Sequence, residues 1–187
     1  ALALLASPAL LINHASAASW SWSGGAGTAN PVATSNWVGG VVPTWAADDD
    51  LYFRTVTTGN FTMTLMADRT VRSLTFGTNS TNDFKVSLNN TNGNTAYNLT
   101  MGNATNAATI TLNATGGNVT IGSGIGSTFG NIILGNTLTV NQNSTSGLLT
   151  IDRSISGGTY GVTKNGAGAL TLSGTANTWN GTTTVSA

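Results

Sequence analysis

The sequence predicts an all-β fold, a parallel β-solenoid, and three observations predict it. Apolar and polar residues alternate over many runs of about four or five residues, each bounded by Gly, Asn or Ser. The stretch from Tyr160 to Ala187 is too rich in glycine for any helix, and its strands are too short to bury a core unless coils stack on one another. The segments 73–77, 98–102, 118–122 and 131–135 resemble one another at irregular intervals, and repetition at about 20 to 25 residues is what coils with turns of varying length produce. About six coils are expected, making a rod roughly 30 Å long at the usual strand spacing.

Residues 1–18 read as a targeting segment or an N-terminal arm. Ala1 to Ile12 is a short apolar run broken by Pro8, and Ala15-Ser16-Ala17 supplies an A-x-A cleavage site. A membrane span needs about 20 apolar residues, so the segment predicts a secreted chain with no membrane span of its own. If retained, the alternation led by Ala1, Leu2 and Leu4 would suit strand donation to a neighbouring copy.

Residues 19–50 are rich in Trp and Gly with little alternation, and are expected to form an irregular cap or first coil. The first coil of a solenoid exposes an apolar cross-section and free strand edges, which Trp20, Trp22, Trp37 and Trp45 can cover. The functional alternative is a stacking platform for surface glycans, with Trp179 as a further candidate. Asp48, Asp49 and Asp50 form the sequence's acidic cluster, but consecutive carboxylates are a weak match to a calcium loop, and a solvated turn before the next strand is the better reading.

Residues 51–187 hold the solenoid proper. Strands are expected from Leu51 to Arg54, Phe61 to Met66, Thr70 to Phe76, Phe84 to Leu88, Tyr97 to Met101, Ala108 to Leu112, Asn118 to Ile121, Asn131 to Leu134, Thr137 to Val140 and Leu148 to Ile151. Three more follow at Gly161 to Lys164, Ala169 to Ser173 and Thr182 to Val185. An antiparallel sandwich is the rival, but hairpin dipeptides do not fall between most successive strands. Asn98, Asn118, Asn131 and Asn141 recur at strand ends instead, where side-chain amides can form a ladder between coils. The inward positions are expected to be Leu74, Phe76, Leu99, Met101, Ile110, Leu112, Val119, Ile121, Leu138, Val140, Leu149, Ile151, Leu170 and Leu172.

Within the last stretch Gly161, Thr163, Lys164, Gly166, Gly168, Leu170 to Gly174, Asn177, Gly181, Thr183 and Val185 follow a G-L-T-K-x-G-x-G-x-L-T-L-S-G-x-N-x-Y-x-G-x-T-x-V pattern, with Val162 for the first leucine and Trp179 for the tyrosine. This resembles the autotransporter-associated β-strand repeat, the passenger-associated transport repeat of bacterial surface proteins. Ile155-Ser156-Gly157-Gly158 is similar to the segment that often precedes such a repeat, and Trp20 to Phe53 to the opening of many proteins that carry one. The resemblance implies a right-handed parallel β-helix outside a bacterial cell.

Composition narrows the function. Six Lys and Arg balance six Asp, Glu is absent, and the net charge is zero, so no electrostatic footprint for nucleic acid or anionic membrane exists. A near-neutral particle tends to associate with itself. No cysteine is present, and the only histidine, His14, lies beside the cleavage site, which leaves no Ser-His or Cys-His nucleophile after processing. Asp68 and Asp152 are the pair a solenoid could bring together for glycoside hydrolysis, though nothing in their spacing singles them out. No catalytic residue, cofactor or metal is therefore expected. The expected function is a non-enzymatic extracellular structural protein that polymerises end to end into a fibre or sheath, with Thr182, Thr183, Thr184 and Val185 offering an uncapped rung. An adhesin that binds surface glycans and a polysaccharide-active enzyme are the alternatives.

Overall fold

The computed structural model describes residues 17–53, 61–77, 82–113, 117–123 and 126–187. Of the expected leader or arm, residues 1–16, with Ala1, Leu2, Leu4 and His14, fall outside the described residues. Among the described residues sixteen strands wind into three parallel sheets, one per wall of a solenoid.

The first wall stacks β1 (Ser19–Trp22), β2 (Asp50–Phe53), β5 (Ser73–Phe76), β8 (Ala108–Leu112), β11 (Leu138–Gln142), β14 (Val162–Asn165) and β16 (Thr183–Val185). The second stacks β3 (Phe61–Thr64), β6 (Phe84–Ser87), β9 (Val119–Gly122), β12 (Leu149–Ile151) and β15 (Leu170–Leu172). The third stacks β4 (Arg69–Val71), β7 (Leu99–Met101), β10 (Ile132–Leu134) and β13 (Ile155–Ser156). From β2 to β15 the chain visits first, second and third wall in turn, and every strand pairs in parallel with the equivalent strand one coil away. The antiparallel sandwich is thereby excluded.

Register keeps like above like. On the first wall Leu51, Leu74, Ile110 and Val140 share one inward column, and Trp22, Phe53, Phe76, Leu112 and Gln142 share another. Phe61, Phe84, Val119, Leu149 and Leu170 stack on the second wall, as do Met63, Val86, Ile121, Ile151 and Leu172. Because side chains alternate between the faces of a strand, each column fills the interior while the Thr and Ser between them face solvent. The expected inward residues are buried with two exceptions: Leu170 and Leu172 are only half-buried, because β15 is the last strand of its wall and no rung lies above it among the described residues.

Coil length departs from expectation. Ser19, Asp50, Ser73, Thr109, Thr139, Thr163 and Thr184 lie one above another, so successive coils take 31, 23, 36, 30, 24 and 21 residues. The longest carries two excursions, each closed by an isolated antiparallel bridge, Asn89 with Ala96 and Asn103 with Asn106. Six rung steps of about 4.8 Å give the expected length of about 30 Å. Boundaries also differ: Phe61–Thr64 stops two residues short of Met66, Leu99–Met101 starts two residues after Tyr97, and Ile155–Ser156 forms a strand that was not expected. The strand expected from Thr70 to Phe76 is two strands, since Arg72 turns the corner between the third and first walls, and Ser19–Trp22, expected in irregular structure, is the first rung.

Candidate functional site: the first and last described coils

The two ends of the solenoid are built differently. At the N-terminal end the segment at Trp37 runs antiparallel to β1: Ser23 N donates to Asn36 O (2.8 Å) and Val38 N to Ser21 O (2.8 Å). The outer edge of β1 is thus paired around Trp22, which blunts that part of it as a template for another strand. Asn36, wholly buried, ties down the loop before it. Its Oδ1 accepts from Ala26 N (2.9 Å), and its Nδ2 donates to the carbonyls of Thr28 (3.1 Å) and Asn30 (2.8 Å).

The tryptophans plug the cross-section beneath. Trp22 and Trp37 are buried with ring centroids 4.9 Å apart in edge-to-face contact, and Trp37 Nε1 donates to Pro31 O (2.7 Å). Trp45 packs against Trp37 at 6.1 Å and carries the Arg69 guanidinium over its face at 4.7 Å. Trp20 is half-buried against the same core. Burial lowers the Arg69 pKa from its ordinary value. A sugar needs an open aromatic face, and Trp22 and Trp37 offer none.

The acidic cluster divides into separate structural roles. Asp49 is buried rather than solvated, its Oδ2 accepting from Thr44 Oγ1 (2.7 Å) and Ala46 N (3.1 Å). That correction to the expected solvated turn follows from Asp49 closing the turn over itself. Asp50 takes the guanidinium of Arg72 and Ser73 Oγ (2.6 Å), while Asp48 is half-buried beside it. Among the described residues no three His, Cys, Asp or Glu side chains gather as metal ligands. Asp68 and Asp152 are engaged elsewhere, Asp68 Oδ1 with Asn98 N (2.7 Å) and Asp152 Oδ1 with Ser123 N (2.8 Å). Asp68 enters the first strand of the third wall and Asp152 the fourth, a separation on the order of 14 Å along the axis, wider than a glycosidase pair uses.

A side-chain ladder joins the coils at two corners. Asp68 Oδ1 accepts from Asn98 N, and Asn98 Oδ1 accepts from Asn131 N (2.9 Å). Asp83 Oδ1 accepts from Asn118 N (3.0 Å), and Asn118 Oδ1 accepts from Leu148 N (2.9 Å). The expected asparagine ladder exists, but it runs from side chain to backbone; amide meets amide at Asn165 Nδ2 and Asn141 Oδ1 (3.2 Å).

At the C-terminal end β14, β15 and β16 form a tight coil. Gly166 turns at φ +84°, and a Cβ on Gly168 would stand 2.1 Å from Ser144 O, so backbone of one coil lies directly on backbone of the next. Buried Gln142 bridges to this coil, its Nε2 donating to Gly147 O and Ala169 O (both 2.9 Å). Asn177 Oδ1 accepts from Ile155 N (2.8 Å), completing the G-x-G and Asn positions of the motif. Residues 162–187 match the family model of the passenger-associated transport repeat. No curated protein and no solved structure matches the chain.

The repeat also supplies the last described strands of the first and second walls. Val162, Lys164, Leu170, Leu172 and Val185 line a hollow of about 330 Å³. Val185 is 74% exposed, Thr182, Thr183 and Thr184 are exposed, and Trp179 is half-buried with its Nε1 donating to Thr183 Oγ1 (3.0 Å). Lys164 stands in the inward column between Val140 and Val185, and its ammonium returns to the Gly166 carbonyl. Sequence reasoning missed Asn36, Arg72 and Gln142. Of these Gln142 left a signal, as the polar residue two places after Val140 in an inward alternation.

Proposed function

We propose that the chain is a non-enzymatic structural β-solenoid of passenger type, displayed outside a bacterial cell, which associates with itself end to end. The observation that carries this reading is the in-register parallel stacking of the walls in a chain of zero net charge: each further coil repeats the hydrogen bonding of the one before, and self-repulsion does not oppose it. The transport repeat supports an exported, surface or secreted location. Among the described residues no helix is long and apolar enough to cross a membrane.

The non-enzymatic part is supported by the carboxylates, which serve turns, corners and an ion pair. End-to-end stacking builds a fibre or sheath. Sedimentation over a rising concentration series, with electron microscopy, tests this: concentration-dependent assembly into filaments is expected. A chain that stays monomeric at high concentration overturns self-association, and assembly that stops at a dimer overturns the fibre. Product release from a polysaccharide, lost on substitution of one Asp, would overturn the non-enzymatic reading.

A further inference from the structure

We infer that the outer face of the first wall is an ice-binding plane, whose ligand is the ordered water of an ice surface. Register sets the face. From β5, β8, β11 and β14 the pairs Ser73 and Thr75, Thr109 and Thr111, Thr139 and Asn141, and Thr163 and Asn165 point outward, each residue in line with its counterpart one coil away. Two parallel columns result, spaced about 4.8 Å from rung to rung and about 6.7 Å from column to column, because every second side chain of a strand shares a face. Hexagonal ice repeats at close to these two intervals on its prism face, so each rung can meet an equivalent row of lattice water. All eight side chains are half-buried, which leaves a level face with no side chain standing clear of its neighbours.

The chemistry of the columns suits that ligand. Among the described residues no protein group takes the hydroxyls of Thr75, Thr109, Thr139 and Thr163, and each can donate once and accept twice. The second column holds itself in line, Asn165 Nδ2 donating to Asn141 Oδ1 (3.2 Å) and Asn141 Nδ2 to Thr111 Oγ1 (3.5 Å). A β-branched side chain is stiff at χ1, so the threonine methyls and hydroxyls are placed before binding and little rotamer freedom is lost. One hydroxyl gains little by exchanging liquid water for ice; discrimination comes from many fixed positions matching one lattice together. No outward side chain on these four rungs is charged, which complements a neutral lattice. The other walls fail that condition or break the column, with Lys85 between Thr62 and Thr120 on the second and Ile133 between Thr100 and Ser156 on the third. A protein partner would call for apolar or aromatic anchors and a sugar for an aromatic face, and none of the eight side chains supplies either. The inference does not rest on end-to-end association, which would only lengthen the plane.

Incorporation of the full chain into a slowly growing ice crystal, together with its inhibition of ice-grain coarsening, tests the inference. The parent is expected to enter the ice and to halt coarsening. Thr139→Lys, at the centre of the plane, should need about tenfold more protein for the same effect. Thr150→Lys, the outward position of β12 on the second wall, should stay within about twofold of the parent, and circular dichroism of both variants should match it. Exclusion of the parent from ice overturns the inference, and equal loss in the two variants overturns its assignment to the first wall. If Thr139→Lys instead breaks association between copies in sedimentation and leaves ice affinity unchanged, the face is a protein contact and ice binding is overturned. Thr109→Lys, read against the same control, repeats the comparison should Thr139→Lys fail to fold.

Discussion

Arg72, at the corner between the third and first walls, grips Asp50 of the preceding coil in a two-pronged ion pair: Nε donates to Oδ1 at 2.9 Å, and Nη2 donates to Oδ2. Ser73 Oγ adds a third hydrogen bond to the same carboxylate. Burial alone raises the Asp50 pKa, but the bonds from Arg72 and Ser73 and the charge of Arg72 outweigh it, and the group titrates below its ordinary value. A carboxylate whose folded pKa is depressed contributes stability that is present above its unfolded pKa, about 4, and lost as pH falls through the folded value. Asp50→Asn is therefore expected to be less stable than the parent by about 1 kcal/mol at neutral pH. The gap should close below about pH 4, which thermal unfolding across a pH series would show; a constant gap would mean the pair contributes nothing that titrates.

The core predicts an asymmetry between two aliphatic residues in one column. Ile151 is fully buried between Ile121 and Leu172, whereas Leu172 has a coil beneath it and none above among the described residues. Ile151→Asp places a charge in a dry interior and is expected to cost more than about 4 kcal/mol, leaving no cooperative transition. Leu172→Asp, where water reaches the site, should cost about 1–2 kcal/mol and leave the circular dichroism of the parent. Equal severity would show that the last coil is as deeply packed as the one before it.

The walls were legible because alternation has period 2, and any run that alternates must present one face inward. Corners were not. Arg72 and Ser73 together slip the alternation of the run from Thr70 to Phe76 between Val71 and Leu74, and the register shows that this slip is a change of wall. Coil length was misjudged because the excursions at Asn89 to Ala96 and Asn103 to Asn106 have the same Asn, Thr and Gly composition as the turns. The strand Ser19-Trp20-Ser21-Trp22 alternates, yet the surrounding glycines hide it. Asn98 and Asn118 were readable as strand-end residues, but their acceptors' partners are backbone groups one coil away, which composition does not reveal. The half-exposure of Leu170 was not legible, because it depends on which described strand is last on its wall.

Close stacking at the repeat makes a prediction about Gly168. A Cβ there would lie 2.1 Å from Ser144 O and 2.7 Å from the Gln142 side chain, and Ser144 is itself held in place by Gly147 N donating to its hydroxyl (2.8 Å). With fixed neighbours, Gly168→Ala must push the coils apart, at about 1–3 kcal/mol. Gly27 supplies the control: it turns at φ +62° with open space around it, so Gly27→Ala carries only backbone strain of about 1–2 kcal/mol and no coil displacement. Exchange of β11 and β14 amides should rise in the first variant and not in the second. Unchanged exchange in Gly168→Ala would contradict backbone-to-backbone stacking.

The last prediction concerns the buried amide that holds the loop of the first described coil. Asn36 accepts from Ala26 N and donates to the carbonyls of Thr28 and Asn30, so both ends of its carboxamide are used. Asn36→Ala frees three backbone groups, and because water reaches the loop at Thr28 the cost is expected to be about 2 kcal/mol rather than the sum of three buried losses. The sharper test is Asn36→Asp, which keeps the shape and the acceptor for Ala26 N but turns a carboxylate towards the carbonyls of Thr28 and Asn30. If Asn36 acts by filling space, Asp should be the better tolerated substitution. If it acts by donating, as the geometry requires, Asp should be at least as damaging as Ala, with partial recovery at low pH when the acid is protonated and can donate once. Release of the loop also frees Pro31, whose carbonyl accepts from Trp37 Nε1, so tryptophan emission should shift to longer wavelength in both variants. A parent-like emission spectrum in Asn36→Asp would show that the loop is held by something other than this amide.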